Sequence, residues 1–492
     1  MKRIWHRTKC FLCIAGLVIL STGVASAGNV EPKDNVYDIL QRFEAEGLIK
    51  SSILTTRPLS SQEIVRLILE AEGNADESSP FLQGLIRSLK ERFRHESEEK
   101  RFIKPLSDPY TEFIYTDSED ADRLAYNNDG FHYKKSSNLR IGFSSGAGLN
   151  HASVHLDPEL RHAGNDTEFL LNRAYGILNL AGLDLEIGKD SQWWGPGHHG
   201  SILLSNNTEP FTMVKLSHAK PVILPSILQY LGLVKFTFFT TRLGDERVIS
   251  RPYLWGLRIN LKPNPYIELG LQRTALLGGE GRSADLATWL KSFAGQGENE
   301  PGSGAGDQRA GGDLKMTIPF HWQPVQLYAE AAGEDEAGNL PSNWAYLAGI
   351  YFPRIMSLER LDFRAEYATN HIENKPNVWY NHGVYRSGYT YKGEIIGHHM
   401  GTDSKDLYLE AGYLLSPLTN GKASVSYDRE EHNLSEDVHE TKDELSFTVE
   451  ASLKKNIFLE TSYSYGRIEN FDNVEGDKKK INIFVSNIIY RF

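Results

Sequence analysis

The chain ends in INIFVSNIIYRF (residues 481–492), and the reading of this stretch decides the fold. Side chains alternate between the two faces of an extended strand, so Phe484, Ile488, Tyr490 and Phe492 share one face, and the chain stops at the phenylalanine. A terminal strand closing on aromatic-x-Phe is the pattern expected of a bacterial outer-membrane barrel. The same period of two runs back through the sequence. Leu445, Phe447, Val449, Ala451 and Leu453 alternate with Ser446, Thr448, Glu450 and Ser452, and Ile457, Leu459, Thr461 and Tyr463 with Phe458, Glu460, Ser462 and Ser464. Similar runs occupy 361–368, 325–331, 254–261, 266–273 and 407–415. A soluble sandwich also alternates, so the terminal strand is what selects the membrane barrel. From about residue 105, roughly 390 residues at on the order of 20 per strand and connection give about 16–20 strands.

The other end of the chain fixes the compartment. Lys2, Arg3, Arg7 and Lys9 precede an apolar stretch, Phe11 to Leu20, too short to span a bilayer, and Ala25-Ser26-Ala27 is a small-residue cleavage site. Residues 1–27 therefore read as a secretory signal. Cys13 lies in the middle of the apolar stretch, which does not suit a lipoprotein anchor. Cys10 and Cys13 are both within the signal, so the mature chain has no disulfide, thiol nucleophile or thiolate metal site. Loss of the signal's four basic residues takes the formal net charge from −11 to −15, a poor match for a nucleic-acid binder. No remaining segment is apolar for long enough to form a transmembrane helix.

Residues 34–102 carry helical signals, which defines a helical module over 28–104 ahead of the barrel at 105–492. Tyr37, Leu40, Phe43 and Ile49 space an apolar face, with Asp34 as N-cap and Gly47 as C-cap. A second helix begins at Ser60 or Ser61 with Glu63 in capping-box position, and a third runs from about Pro80 into the charged stretch 87–101, read as a solvated face. Three short helices make a small core, so the module is expected to pack against something larger. Within the β region, the glycine-rich stretch 294–312 reads as a mobile loop, and Leu286, Trp289, Leu290 and Phe293 suggest a short amphipathic helix in a long extracellular connection.

Residues 190–207, DSQWWGPGHHGSILLSNN, carry the strongest local signal for function. Trp193 and Trp194 run into Gly195-Pro196-Gly197, a sharp turn because proline fixes φ and glycine tolerates positive φ. This segment, together with Val378-Trp379-Tyr380-Asn381-His382, Tyr385-Arg386-Ser387-Gly388-Tyr389-Thr390-Tyr391 and Ile396-Gly397-His398-His399-Met400-Gly401-Thr402-Asp403, resembles the Wzi-type capsule assembly family. Arg57-Pro58-Leu59-Ser60 in the helical module adds to the likeness. The resemblance implies an all-β transmembrane barrel of eighteen antiparallel strands with an N-terminal periplasmic α-helical bundle. It also implies a surface lectin that tethers capsular polysaccharide or another exopolysaccharide to the cell. His198-His199 departs from the family pattern, in which other residues, often an acidic one, are expected after the turn, and this leaves the glycan preference open.

Residues for polysaccharide binding follow from the chemistry of sugars. Trp193 and Trp194 could stack on sugar rings, but packing of a lumen plug or a place in the interfacial belt is the weightier reading. His198, Asn206 and Asn207 offer hydrogen bonds beside them. Tyr380, His382 and Arg386 form a second group, and a guanidinium suits an acidic glycan because it pairs with carboxylates bidentately. Tyr389 and Tyr391 read as girdle residues. His398, His399 and Asp403, or His151, His155 and His162, could be metal ligands, but histidine spacing alone does not make a site. Gly142-Phe143-Ser144-Ser145-Gly146 matches the nucleophile-elbow pattern without the strand–turn–helix context it needs. The expectation is thus a non-enzymatic binder without metal or cofactor. Its partners would be surface polysaccharide and outer-membrane lipid, with the polysaccharide export machinery a further candidate. The rival readings are a porin or sugar-selective channel, an outer-membrane enzyme and a soluble periplasmic β-protein.

Overall fold

A computed structural model describes residues 28–76, 78–94, 101–296, 305–334, 336–337, 340–416, 421–454 and 456–491. The expected leader, Phe492 and residues 95–100 and 297–304 lie outside the described residues. Among the described residues, eighteen antiparallel strands close into one barrel. Strand Arg101–Thr116 pairs with strand Lys478–Tyr490 (Thr116 opposite Ile483, Tyr110 opposite Ile489), which removes the free edges.

Alternation places the apolar face outward. Leu445, Phe447, Val449, Phe484, Ile488 and Tyr490 are exposed on the outer wall, whereas Lys442, Glu444, Asp428 and Glu430 are buried inside. Connections such as 150–151, 181–182 and 265–266 are short at one end, and the long ones, including 117–135, 191–210 and 370–404, gather at the other. Short turns face the periplasm and long loops the outside in such barrels, so the helical module, which leads into strand Arg101–Thr116, lies at the periplasmic end.

Helix α1 (Val36–Ala45) begins where the Asp34 carboxylate accepts the Val36 N–H at 2.8 Å, although Asn35 holds the cap position itself. Gly47 follows its end at φ +79°, in the left-handed region that stops a helix. Helix α2 (Ser61–Gly73) is capped by Ser60, whose hydroxyl accepts the Glu63 N–H, and helix α3 (Pro80–Arg92) by Ser79. Helix α3 stops at Arg92, partway into the charged stretch 87–101. Val36, Leu40, Phe43, Leu67, Leu85 and Leu89 form the shared core.

The larger body on which the helices pack is the barrel's own lumen. Lys262 and Lys315 from the wall donate to Glu44 at 2.5 and 2.7 Å, and Gln41 donates to Gln326 at 2.9 Å. Burial alone would raise the Glu44 carboxyl, but the two ammonium groups bring it down to about 2.

The glycine-rich stretch corrects the sequence reading. Residues Ala305–Ile318 form a barrel strand paired on both sides, so the expected mobile loop is ordered from residue 305 onward. Two full ladders of hydrogen bonds outweigh the weak strand propensity of glycine. A Cβ on Gly311 would fall 2.3 Å from the Ala331 carbonyl, so the close approach itself calls for glycine. The amphipathic segment is helix α4 (Leu286–Ala294), lying on the outside of the wall with Phe293 4.7 Å from the Trp255 ring.

Candidate functional site at the loop face

The tryptophan segment does not project from the barrel. Trp193 and Trp194 pair with Arg57 and Thr56 as a two-residue ladder, so the loop folds inward to meet the segment between α1 and α2 of the helical module. Both indoles are 0 % exposed, and Trp194 stands edge-on to Phe239 at 5.3 Å. The Lys33 ammonium lies 4.5 Å over the Trp193 ring. Neither ring face is open to a sugar in this structure.

The turn that follows is built around a buried carboxylate. Gly195 has φ +135°, and a Cβ there would meet the Glu330 carboxylate at 2.7 Å. The backbone N–H groups of His198, His199 and Gly200 then donate to Glu366 at 2.8, 3.1 and 3.2 Å, and Tyr328 adds its hydroxyl at 2.9 Å. Successive N–H groups converging on one anion make a nest, here filled by the protein's own side chain. The His198 ring is half-buried between Asp38 (3.4 Å) and Glu410 (3.6 Å).

Three long loops are stitched together above this turn. Asn206 donates to the Asn127 carbonyl at 3.0 Å and Asn207 to the Ile395 carbonyl at 3.2 Å, while the Asn207 side-chain oxygen accepts the Asn127 N–H. Tyr380 donates to the Ile202 carbonyl at 2.7 Å and accepts the His398 N–H at 2.9 Å. Asn206, Asn207 and Tyr380 are each at least 95 % buried. Six of the eight expected binding residues therefore sit inside the plug or its seams, with only His198 of those six partly open.

The other two lie outside. His382 is half-buried, and its Nδ1 accepts the Val384 and Tyr385 N–H groups at 3.1 Å each, which fixes the turn that carries Arg386. Arg386 is exposed, with no side-chain hydrogen bond or ion pair among the described residues. Tyr389, expected in a girdle, is instead buried beneath Arg309, whose guanidinium lies 4.2 Å from its ring.

The other motifs resolve simply. Ser144 sits within strand Ser136–Leu149 with no helix after it. Asp403 binds His371 at 2.6 Å and not the His398-His399 pair, and His162 hydrogen-bonds Thr167. Sequence reasoning missed Glu366, Asn127 and Tyr126. Strand alternation marked Glu366 as inward-facing, but nothing in the sequence paired it with the turn.

An outer-membrane barrel whose lumen is filled from both ends, and whose long loops are tied into one outer face, is the class of protein these features define. The model of one family, Capsule assembly protein Wzi, matches residues 106–482, and the chain belongs to that family. It is similar to an uncharacterized 55.8 kDa protein in the cps region of Klebsiella pneumoniae, 27 % identical over 339 residues. That match takes in 66 % of this chain and 62 % of the relative, so the chain spans less than two thirds of it. In fold it is similar to Wzi of Escherichia coli, described as an outer membrane protein involved in group 1 capsule assembly and a carbohydrate-binding β-barrel. The TM-score is 0.77 at 21 % identity, over 95 % of this chain and 100 % of that one.

Proposed function

We propose that this protein binds a surface polysaccharide at its loop face and tethers it to the cell non-covalently and without turnover. The observation that carries this reading is the filled lumen. The helical module enters from the periplasmic end and the tryptophan loop from the other, and the segment between α1 and α2 meets that loop at the Thr56–Arg57 and Trp193–Trp194 ladder. This arrangement disfavours a channel and leaves the stitched loops as the surface that meets ligand. Family membership and the carbohydrate binding described for the Escherichia coli protein support the same reading.

Arg386 and His382 are the proposed contact residues, the guanidinium being suited to a carboxylate-bearing sugar. Trp193, Trp194, Asn206, Asn207 and Tyr380 hold the loops that present them, and His198 links the turn to helix α1. Many weak contacts along one polymer add by multivalency, so a modest single-site affinity suffices. The outward apolar wall suits outer-membrane lipid as the second partner, and polysaccharide export machinery is a third.

The test is a deletion strain in which cell-bound and shed polymer are separated by sedimentation. Unchanged total polymer moving to the supernatant, restored by the wild-type gene but not by Arg386→Ala, is the expected result. An unchanged distribution overturns the reading for that polymer, and shortened polymer products would point to an enzyme.

A further inference from the structure

Beneath the loop face lies a cluster that polysaccharide binding does not use. His199 from loop 191–210, His399 from loop 370–404, Asp406 from strand Lys405–Ser416 and Glu430 from strand Gly421–His432 turn their ligating atoms toward one point. These atoms all lie within 4.8 Å of one another. The two Nε2 atoms of His199 and His399 are 3.2 Å apart. Asp406 Oδ2 is 3.6 Å from the first and 3.8 Å from the second, and Glu430 Oε1 is 3.8 Å from His399.

The imidazole–carboxylate distances are too long for hydrogen bonds. A tetrahedral ion with ligand bonds of about 2.0–2.2 Å, however, holds its ligands about 3.3–3.6 Å apart, close to the four distances above, which run from 3.2 to 3.8 Å. All four side chains are at least 95 % buried. Neither oxygen of Asp406 has a hydrogen-bond partner among the described residues.

The charge balance points the same way. Asp406, Asp428, Glu430 and Glu444 are gathered in one buried volume. The Lys442 ammonium lies 3.1 Å from Asp428, 2.8 Å from Glu430 and 3.9 Å from Glu444, and His432 sits 2.8 Å from Glu430. Several buried carboxylates against one lysine leave uncompensated negative charge, which is costly in a site closed to water. Aromatic neighbours fix the ring planes. Tyr408 stacks on His199 at 4.0 Å, and Tyr126 stands edge-on to His399 at 4.0 Å.

We infer that His199, His399, Asp406 and Glu430 bind a divalent transition-metal ion, for which zinc is the best match to two imidazoles and two carboxylates in tetrahedral array. Four protein ligands leave no open position, so the site is structural. It clasps the tryptophan loop and loop 370–404 to two neighbouring strands, and none of its ligands is a proposed glycan contact. Glu430 Oε1 is shared between the ion and Lys442.

The experiment uses the whole barrel purified in detergent without a polyhistidine tag, stripped with chelator and dialysed against zinc. Elemental analysis should then find one zinc per chain. Cobalt(II) in its place should give the strong visible absorption of a tetrahedral site. His399→Ala and Asp406→Asn should each weaken binding by more than the about 10–100-fold that loss of an outer-shell partner costs, and His162→Ala should keep the metal. The cobalt spectrum of the wild-type chain reads the site even where a variant fails to fold. A wild-type chain that retains no zinc and gives only the weak spectrum of hydrated cobalt overturns the inference, as does undiminished binding in both folded ligand variants.

Discussion

Truncation of Trp194 separates a structural role for the tryptophan loop from a direct sugar-stacking one. The indole is 0 % exposed, lies edge-on to Phe239, and crowds Gly256 so closely that a Cβ there would come within 2.7 Å of the ring. Trp194→Ala therefore opens a cavity in the plug and should cost about 3–5 kcal/mol, the range for a buried tryptophan. The thermal midpoint of the detergent-solubilised barrel should fall, and loops 191–210 and 370–404 should become open to protease, because both pack on this core. Surface polymer should be shed in parallel. Trp194→Phe should restore much of the stability and retention together. Arg386→Ala is the counterpart: its side chain is exposed, so stability should change by no more than about 0.5 kcal/mol while polymer is still shed. A Trp194→Ala protein that sheds polymer yet melts like wild type, with loops still resistant to protease, would refute the structural role and make the indole a ligand contact.

Three further outcomes follow from the buried charges. Glu44 has its carboxyl held down to about 2 by Lys262 and Lys315 against an ordinary value near 4.5. Its contribution to stability is complete above about pH 4.5 and is lost as pH falls through about 2, so the midpoint measured in a pH series should decline across that window. Glu44→Gln should lower stability at pH 7 by about 3–5 kcal/mol, since two lysines lose their buried partner, and should flatten the acid limb; a variant that melts like wild type at pH 7 would show that the helix is not anchored there. In planar bilayers the wild-type barrel should lack the steady open-channel conductance of a porin, and a stable open current would contradict the filled lumen.

The barrel was legible in the sequence because one physical rule, outward apolar and inward polar side chains, recurs along much of the chain from Arg101 to Tyr490, broken where residues such as Phe211, Leu254 and Leu276 turn inward onto the plug. Helix starts at Ser60 and near Asp34 were legible for a similarly local reason, since a cap is a bond between neighbours. What was illegible depended on partners far apart in sequence. Glycines 311 and 312 look like linker until the neighbouring strands are known. Trp193 and Trp194 look like a displayed aromatic platform until Thr56–Arg57 is placed beside them, well over a hundred residues away. The histidine pairs 198-199 and 398-399 could be seen as motifs, but only the fold brings His199 to His399, and neither Asp406 nor Glu430 has a local signature that separates it from other inward-facing acids.

The lumen and its plug depend on one another, and this has a consequence for where binding can occur. Arg258, 0 % exposed, is satisfied by Asp313 at 2.7 Å together with the hydroxyls of Thr55 and Thr56, which belong to the N-terminal segment. Glu268 takes the Thr55 N–H and hydroxyl as well as Lys315, and Glu366 takes the turn after the tryptophans. Withdrawal of the plug would leave these groups without their partners, and the helical module would lose the wall that covers α1. Such a barrel does not idle between plugged and open states at small cost, because each buried charge left alone carries a penalty of several kcal/mol. The wall chemistry is thus committed to holding the plug, and under the proposed function the recognition of an external polymer would fall to side chains that the plug leaves free, such as the exposed Arg386 of loop 370–404.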